Sequence, residues 1–389
     1  MFNIPLTIGI EEEYQIIHPV SRDLHSYVQN FLEQGHQIFP EGQLKPEFMQ
    51  SQIEVGSYVC QNVKELRREV IRLRRKVKSL ASENDLHIAA ASTHPFAKWL
   101  NQDITAGERY AELLSQMRGV AEQMLIFGMH LHVGFGDGKD NRELMIATLN
   151  QLRYFLPHIL ALSTSSPFWQ GRLKGLKSYR SVIFEMLPRT GIPPTFNSYA
   201  EFETFVDLLG KVGAITGKDV EGKPDATRIW WDARPHPKFN TLEIRVSDIC
   251  TSVDDTACLA ALIQCLVAKL LQLRNQNQSW RLYRRHHIVE NKWRAMRDGI
   301  DGKLIDFGKK EEVPMQQLGI ELVELLDDVA IQLNCRDELR HIETILQDGT
   351  SADKQIRVYR NAMSEGASND EALIAVVDFL VEQTHAGCE

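Results

Sequence analysis

The stretch TIGIEEEYQII, Thr7–Ile17, places three consecutive glutamates inside a segment typical of a buried β-strand. Side chains two residues apart in a strand point to the same face. We therefore predict that Glu11 and Glu13 share one face and that Glu12 points to the other. Two ionised carboxylates on one face repel each other, and burying them unpaired is costly. A divalent cation would remove that cost; the simpler alternative is a sheet face exposed to solvent.

Composition and charge limit the class of protein. The 389 residues are 43% hydrophobic, which is ordinary for a globular protein with a large core. A formal net charge of -8 argues against a general nucleic-acid or membrane binder. The apolar stretch CLAALIQCLVAKLLQL (258–273) is interrupted by Gln264 and Lys269 and predicts a buried helix. Six scattered cysteines and a first segment without a basic leader predict a cytoplasmic protein with reduced thiols.

Strands and helices are mixed along the chain without strict βαβ alternation. This favours an α+β fold, an antiparallel sheet with helices on one side. Residues 61–82 predict an amphipathic helix whose Arg and Lys side chains form its solvent-exposed face. SYRSVIFEMLPRTGIPP (178–194) predicts a strand followed by a loop, and residues 227–249 predict a β-hairpin. We expect one domain at 1–304 and a helical extension, 305–389, packed on the same domain.

Two further strand-like segments carry polar side chains. PEFMQSQIEVGS contains Glu47 and Glu54, and exposed carboxylates are the alternative there. GMHLHVG places His130 and His132 on one face of a short strand, opposite Met, Leu and Val. Such a pair can bind a metal jointly, or one histidine can bind metal while the other donates to a phosphate. A structural role is the alternative for either histidine.

A fourth segment, NTLEIRVSD, places Glu243 and Arg245 on one strand face. They could form a cross-strand ion pair, or a metal ligand beside a phosphate-binding guanidinium. Arg180 and Arg189, around FEMLPRTGIPP, would add positive charge. Several carboxylates with two histidines suit Mg²⁺ or Mn²⁺, and together with arginines they are typical of phosphoryl transfer from ATP. The sequence contains neither a GxxxxGK[ST] nor a GxGxxG motif, so a nucleotide site would be built on the sheet.

Six motifs, in this order, resemble the carboxylate–amine ligases known as glutamate–cysteine ligase type 2: GIEEEY, PEFMQSQIE, HPF, GMHLHVGF, SYRSVIFEMLPRTGIPP and LEIRVSD. These enzymes belong to the glutamine synthetase/glutamate–cysteine ligase superfamily. The resemblance runs from residue 7 to about residue 300. It implies a glutamine synthetase-like catalytic fold, in which a curved antiparallel sheet with flanking helices forms a funnel. Residues 1–304 would then be the catalytic domain.

The resemblance also implies roles for individual residues. One Mg²⁺ would be held by Glu13, Glu47 and Glu54. A second Mg²⁺, bridging the ATP phosphates, would be held by Glu11, His130 and Glu243. Arg245 would bind phosphate, and His132 would lie near the nucleotide. Arg180 and Arg189 would orient the substrate carboxylate or the phosphate of the intermediate. Glu12 receives no role.

The implied activity is ATP-dependent ligation of a carboxylate to an amine through an acyl phosphate. L-Glutamate is the expected donor, L-cysteine the first candidate acceptor, and a homodimer is expected, with neither nucleic acid nor membrane as partner. Two alternatives stay open: a Mg²⁺- or Mn²⁺-dependent hydrolase using the same side chains, and a catalytically silent binding protein. The intact set of site residues argues against the silent protein.

Overall fold

The computed structural model describes residues 4–219 and 222–388. The strands are β1 (Ile8–Ile17), β2 (Leu44–Pro46), β3 (Gln52–Gly56), β4 (His87–Ala89), β5 (Met129–Gly134), β6 (Phe168–Trp169), β7 (Arg172–Leu173), β8 (Thr190–Gly191), β9 (Trp230–Trp231), β10 (Ala233–Pro235), β11 (Thr241–Ile244), β12 (Lys303–Asp306) and β13 (Glu311–Pro314). The helices are α1 (Val28–Gly35), α2 (Val63–Ser82), α3 (Glu108–Met117), α4 (Lys139–Leu152), α5 (Leu156–Ser163), α6 (Tyr179–Phe184), α7 (Tyr199–Lys211), α8 (Val253–Asn275), α9 (Arg285–Asp298), α10 (Met315–Gln332), α11 (Arg336–Asp348), α12 (Ser351–Ser364) and α13 (Asn369–His385).

A seven-stranded sheet organises the fold around β1. Its order is β10-β11-β5-β1-β3-β2, and β4 pairs with the last residues of β1. Every pairing in this sheet is antiparallel. The glutamate-rich strand is therefore central, and it has neighbours on both edges. The predicted α+β class is confirmed.

Two long helices, α2 and α8, pack against each other and against this sheet. The side chain of Asn62 accepts a hydrogen bond from Glu65 N and caps α2, and Ser252 caps α8 in the same way. Helix α8 is long and apolar enough to cross a membrane, but 83% of its most apolar window is buried inside the protein. The prediction of a buried helix there is confirmed.

The prediction of a solvent-exposed basic face on α2 is wrong for Arg74, which is completely buried. Its guanidinium donates to both carboxylate oxygens of Glu12, across the face of β1 that lies against the helix. It also donates to the backbone oxygens of Cys250 and Thr251. A buried carboxylate needs a cation of this kind, and an amphipathic pattern alone cannot identify which basic residue supplies it.

The segment beginning at Tyr179 is helical, which corrects the predicted strand. Val182 and Ile183 are β-branched and favour strands, but tertiary contacts outweigh so weak a preference. The backbone of Ser178 donates to Met296 O in α9, and its hydroxyl donates to the buried Asp248. These contacts fix the start of α6.

The carboxyl-terminal region packs on the main domain through several helices. Helices α10 and α11 contact α8, and α13 contacts β4. One hydrophobic core contains residues from both sides of position 304. The predicted boundary after residue 304 falls inside the β12–β13 hairpin, where Leu304 pairs with Val313. The division at that residue stays a prediction.

Candidate active site

One face of the central sheet borders a cavity of about 450 Å³. Glu11 and Glu13 line this cavity. Glu12, between them, is buried against Arg74 on the opposite face. The alternation predicted for this strand is therefore confirmed.

The first group of possible metal ligands, the carboxylate cluster, consists of Glu13, Glu47 and Glu54. One oxygen from each lies within 4.8 Å of the others. Glu13 and Glu54 face each other in the β1–β3 pairing, and Glu47 follows β2. Glu13 also accepts hydrogen bonds from Gly128 N at 2.6 Å and from the amide of Gln52 at 2.8 Å.

The electrostatics of the carboxylate cluster disfavour three anions. Burial, and secondly the charge of Glu54, raises the pKa of Glu13 to about 7. Burial and the charge of Glu13 raise the pKa of Glu47, and burial with the charge of Glu11 raises that of Glu54. A hard divalent cation would reverse this penalty, because carboxylate oxygens are its preferred ligands. The donor set therefore fits Mg²⁺ or Mn²⁺.

The second group, the mixed cluster, consists of Glu11, His132 and Glu243, again with one donor atom from each within 4.8 Å. His132 Nδ1 lies 2.9 Å from the hydroxyl oxygen of Thr241. Its other ring nitrogen, Nε2, is buried and has no hydrogen-bond partner among the described residues. An imidazole fixed through one nitrogen and free at the other is the usual arrangement of a metal-ligating histidine. The mixed cluster therefore also fits a divalent cation.

The carboxyl groups of the mixed cluster are held as anions. Burial favours the neutral form of Glu11, but the nearby rings of His130 and His132 outweigh it and hold the pKa of Glu11 well below its usual value. Burial likewise opposes ionisation of Glu243, and the guanidinium groups of Arg234 and Arg245 outweigh it and lower its pKa. The two clusters thus differ, because only in the mixed cluster do the neighbouring groups of the protein outweigh the cost of burying ionised carboxylates.

His130 lies between the two clusters. Its Nδ1 is 3.4 Å from Glu11 Oε2 and 3.4 Å from an Arg245 nitrogen, and its Nε2 is 4.0 Å from Glu13. Burial, reinforced by Arg245, lowers the pKa of His130 to about 3, so the ring is neutral at pH 7. His132, and not His130, is the histidine grouped with Glu11 and Glu243. Which of the two ligates metal stays a prediction.

Lys45 links the two clusters, although the sequence analysis assigned it no role. Its ammonium donates to Glu11 Oε1 at 2.8 Å and to Glu54 Oε1 at 2.7 Å. Burial opposes its charge, but Glu54 and Glu11 outweigh it and raise the pKa of Lys45. Strand alternation could have found this residue, because Lys45 precedes Glu47 by two positions.

Two of the predicted arginines reach the cavity. Arg245 donates to Glu243, and Arg180 donates to the backbone oxygen of Arg245 at 3.2 Å. Both line the cavity, and the Nε of each is buried with no partner among the described residues. Unpaired N–H groups of this kind are suited to an anionic substrate group.

Arg189 does not line the cavity, and its predicted role stays a prediction. Its guanidinium stacks over Trp230 and donates to the backbone oxygen of Arg228. Arg228 itself lines the cavity, as do Arg109 and Arg234. Hairpin pairing could have indicated Arg234, which faces Glu243 across the β10–β11 register.

Comparisons with known proteins agree with this geometry. The model of glutamate-cysteine ligase family 2 matches residues 7–376. The chain belongs to glutamate-cysteine ligase family 2. Its relative in Herpetosiphon aurantiacus is 49% identical over 385 residues, 99% of this chain and 94% of that one. A relative in Chloroflexus aggregans is 51% identical over 381 residues, 98% and 92% of the two chains. Both are provisionally named glutamate–cysteine ligase 2.

Two solved structures share the fold. Glutamate–cysteine ligase from Francisella tularensis in complex with AMP superimposes with a TM-score of 0.68 at 14% identity, over 99% of this chain and 90% of that one. A bifunctional glutathione synthetase from Pasteurella multocida gives 0.65 at 14% identity, over 97% of this chain and 52% of that one. The predicted fold class and family are thus confirmed, and with the family the enzyme class, a ligase.

Proposed function

We propose that this ligase uses ATP and Mg²⁺ to join the side-chain carboxylate of an amino acid, L-glutamate first, to an amine. One observation carries the proposal: the carboxylate cluster and the mixed cluster line or border one cavity together with arginines that have unpaired N–H groups. The AMP in the Francisella tularensis structure supports a nucleotide substrate. The names of the relatives support glutamate as donor and make L-cysteine the first acceptor to test.

The two clusters would hold the metal ions. Glu13, Glu47 and Glu54 would bind one, and Glu11 and Glu243 would bind the other with His132 or His130. Bound Mg²⁺ supplies positive charge to the phosphate oxygens of ATP. Mn²⁺ fits the same ligands.

ATP activates the carboxylate because an ionised carboxylate has no good leaving group. In the first step a donor oxygen bonds to the γ-phosphorus of ATP, ADP leaves, and an acyl phosphate forms. In the second the amine nitrogen attacks the carbonyl carbon, phosphate leaves, and the nitrogen loses a proton. Arg245 and Arg180, which line the cavity, would place positive charge beside the phosphoryl oxygens, where negative charge develops.

Hydroxylamine trapping tests the reaction class independently of the natural acceptor. Enzyme, ATP, Mg²⁺ and hydroxylamine are incubated with each candidate acid, and the hydroxamate is measured. We expect the γ-hydroxamate from glutamate, because hydroxylamine attacks an activated carboxyl group. Hydroxamate from another acid would change the donor and keep the ligase class.

A matched pair of variants ties this reaction to the site. Glu13→Gln should form no hydroxamate, whereas Glu311→Gln, the same change at an exposed position on β13, should match the wild type. Metal-dependent hydrolysis without ATP would identify the hydrolase instead. If the protein neither consumes ATP nor forms hydroxamate with any acid, the catalytically silent binding protein is the remaining alternative.

We also infer a cytoplasmic location, because the six cysteines are free thiols and all are buried. The homodimer expected from the sequence stays a prediction.

A further inference from the structure

An exposed aromatic residue marks the tip of the β10–β11 hairpin. Phe239 is 59% exposed, yet its ring lies nearly parallel to that of His236, with centroids 4.4 Å apart and an interplanar angle of 7°. One face of the phenyl ring is thus covered by imidazole, and much of the remainder faces solvent. We call these two side chains the aromatic platform.

The hairpin holds the aromatic platform in place. His236 N donates to Thr241 O at 2.8 Å. Asn240 donates through its side chain to Asp137 at 2.8 Å, and its backbone oxygen accepts from Phe135 N. The exposed ring therefore belongs to an anchored turn, and its orientation is set before any ligand arrives.

The aromatic platform borders the same cavity as the metal-ligand clusters. His236, Lys238 and Phe239 all line it. The ring of His132, a member of the mixed cluster, lies 5.4 Å from the His236 ring and 6.1 Å from the Phe239 ring. An open π-face, a lysine ammonium and a metal-ligand cluster thus occur side by side, as recognition of a nucleoside triphosphate requires.

We propose that the aromatic platform stacks the base of ATP while Lys238, together with the divalent cation that the mixed cluster would hold, receives its phosphates. This inference rests on the proposed function and adds to it the residues that bind the base. A base and a phenyl ring attract each other through their flat faces, and alanine in place of the ring removes this stacking. A large apolar ring exposed at a cavity mouth gains this contact without losing any packing in the core.

Two ligands separate the base from the phosphates. A non-hydrolysable ATP analogue and inorganic tripolyphosphate are titrated, each with Mn²⁺, into the intact protein by calorimetry. Phe239→Ala should weaken binding of the analogue about ten- to hundredfold and leave tripolyphosphate binding unchanged. Phe239→Trp should bind the analogue as well as the wild type, because it restores an aromatic face. Val20→Ala, at another exposed apolar side chain, is the control.

The outcomes distinguish this inference from the proposed function. Equal analogue binding by Phe239→Ala and the wild type would overturn the platform and leave the ligase proposal standing. If Phe239→Ala binds neither the analogue nor tripolyphosphate, the platform is also overturned, because the ring would then maintain the structure of the whole site and would not bind the base specifically. A wild-type protein that binds neither ligand would overturn the inference together with the proposed function.

Discussion

Glu12 and Glu13 are neighbours in one strand, and both are buried, but their surroundings are opposite. Glu12 receives the guanidinium of Arg74, the hydroxyl of Tyr14 and that of Thr256. Glu13 faces Glu54 and Glu47 instead, and its pKa is raised to about 7. On the outer face of the sheet, the carboxylate of Glu12 is neutralised by the guanidinium of Arg74. On the cavity face, the neighbouring cationic side chains are too few to neutralise the clustered carboxylates. Unbalanced charge of this kind indicates a site that receives a ligand.

The largest expected effect is on stability, at Glu12. Glu12→Gln leaves the buried Arg74 without its anion, and breaking a buried pair costs about 3–5 kcal/mol. Urea unfolding should show this loss, while activity of the folded fraction stays near that of the wild type. Adding Arg74→Met to Glu12→Gln should recover part of the loss, because it removes the unpaired charge. A Glu12→Gln protein as stable as the wild type would contradict the role given to this pair.

Glu13→Gln should have the opposite pattern. Hydroxamate formation should fall at least about 100-fold, because a proposed metal ligand loses its charge. Stability in EDTA should not fall, since the amide oxygen can still accept from Gly128 N. Activity and unfolding, measured on the same preparation, separate this variant from Glu12→Gln. If Glu12→Gln and Glu13→Gln change activity and stability in the same way, the two faces of β1 do not differ in function.

The pH dependence of stability gives a third comparison. Glu13 titrates near pH 7 when folded and near 4.5 when unfolded, so the unfolded chain releases its proton first as pH rises. In EDTA, between pH 4.5 and 7, the wild type should lose up to about 3 kcal/mol relative to Glu13→Gln. If the free energy of unfolding changes with pH in the same way for the wild type and Glu13→Gln, then folding does not raise the pKa of Glu13.

Thr241→Val probes the mixed cluster more gently. It keeps the shape of the side chain but removes the hydroxyl beside His132 Nδ1. Loss of such an orienting contact should weaken Mn²⁺ binding about tenfold if His132 is a ligand. Thr204→Val, at an exposed position on α7, is the matched control. Unchanged affinity in Thr241→Val would favour His130 as the ligand.

The smallest effect is expected at Lys45, whose side chain is 39% exposed. Lys45→Met removes the ammonium shared by Glu11 and Glu54 and should destabilise the protein in EDTA by about 1 kcal/mol. Mn²⁺ should recover the loss, because it neutralises the same carboxylates. Lys98→Met, at an exposed position, should show neither effect in thermal melts. A deficit in Lys45→Met that Mn²⁺ does not change would assign Lys45 a purely structural role.

The sequence predicted the parts of this molecule that depend on local pattern. Strand alternation separated Glu12 from its neighbours, and the motifs of the resemblance indicated both the fold and the family. It did not predict partners brought together from distant segments. Arg74 is 62 residues from Glu12, and an amphipathic helix pattern assigned it to solvent. The helix at Tyr179 and the stacking of Arg189 on Trp230 likewise depend on tertiary packing.

Direct Mn²⁺ binding tests the central claim, that the cavity face of β1 is a metal site and the outer face is not. Electron paramagnetic resonance counts free and bound Mn²⁺ with wild type, Glu13→Gln and Glu311→Gln, each with a non-hydrolysable ATP analogue. We predict that the wild type and Glu311→Gln bind the same number of ions and that Glu13→Gln binds at least one fewer. Equal binding by all three proteins, or no binding by the wild type, would contradict it.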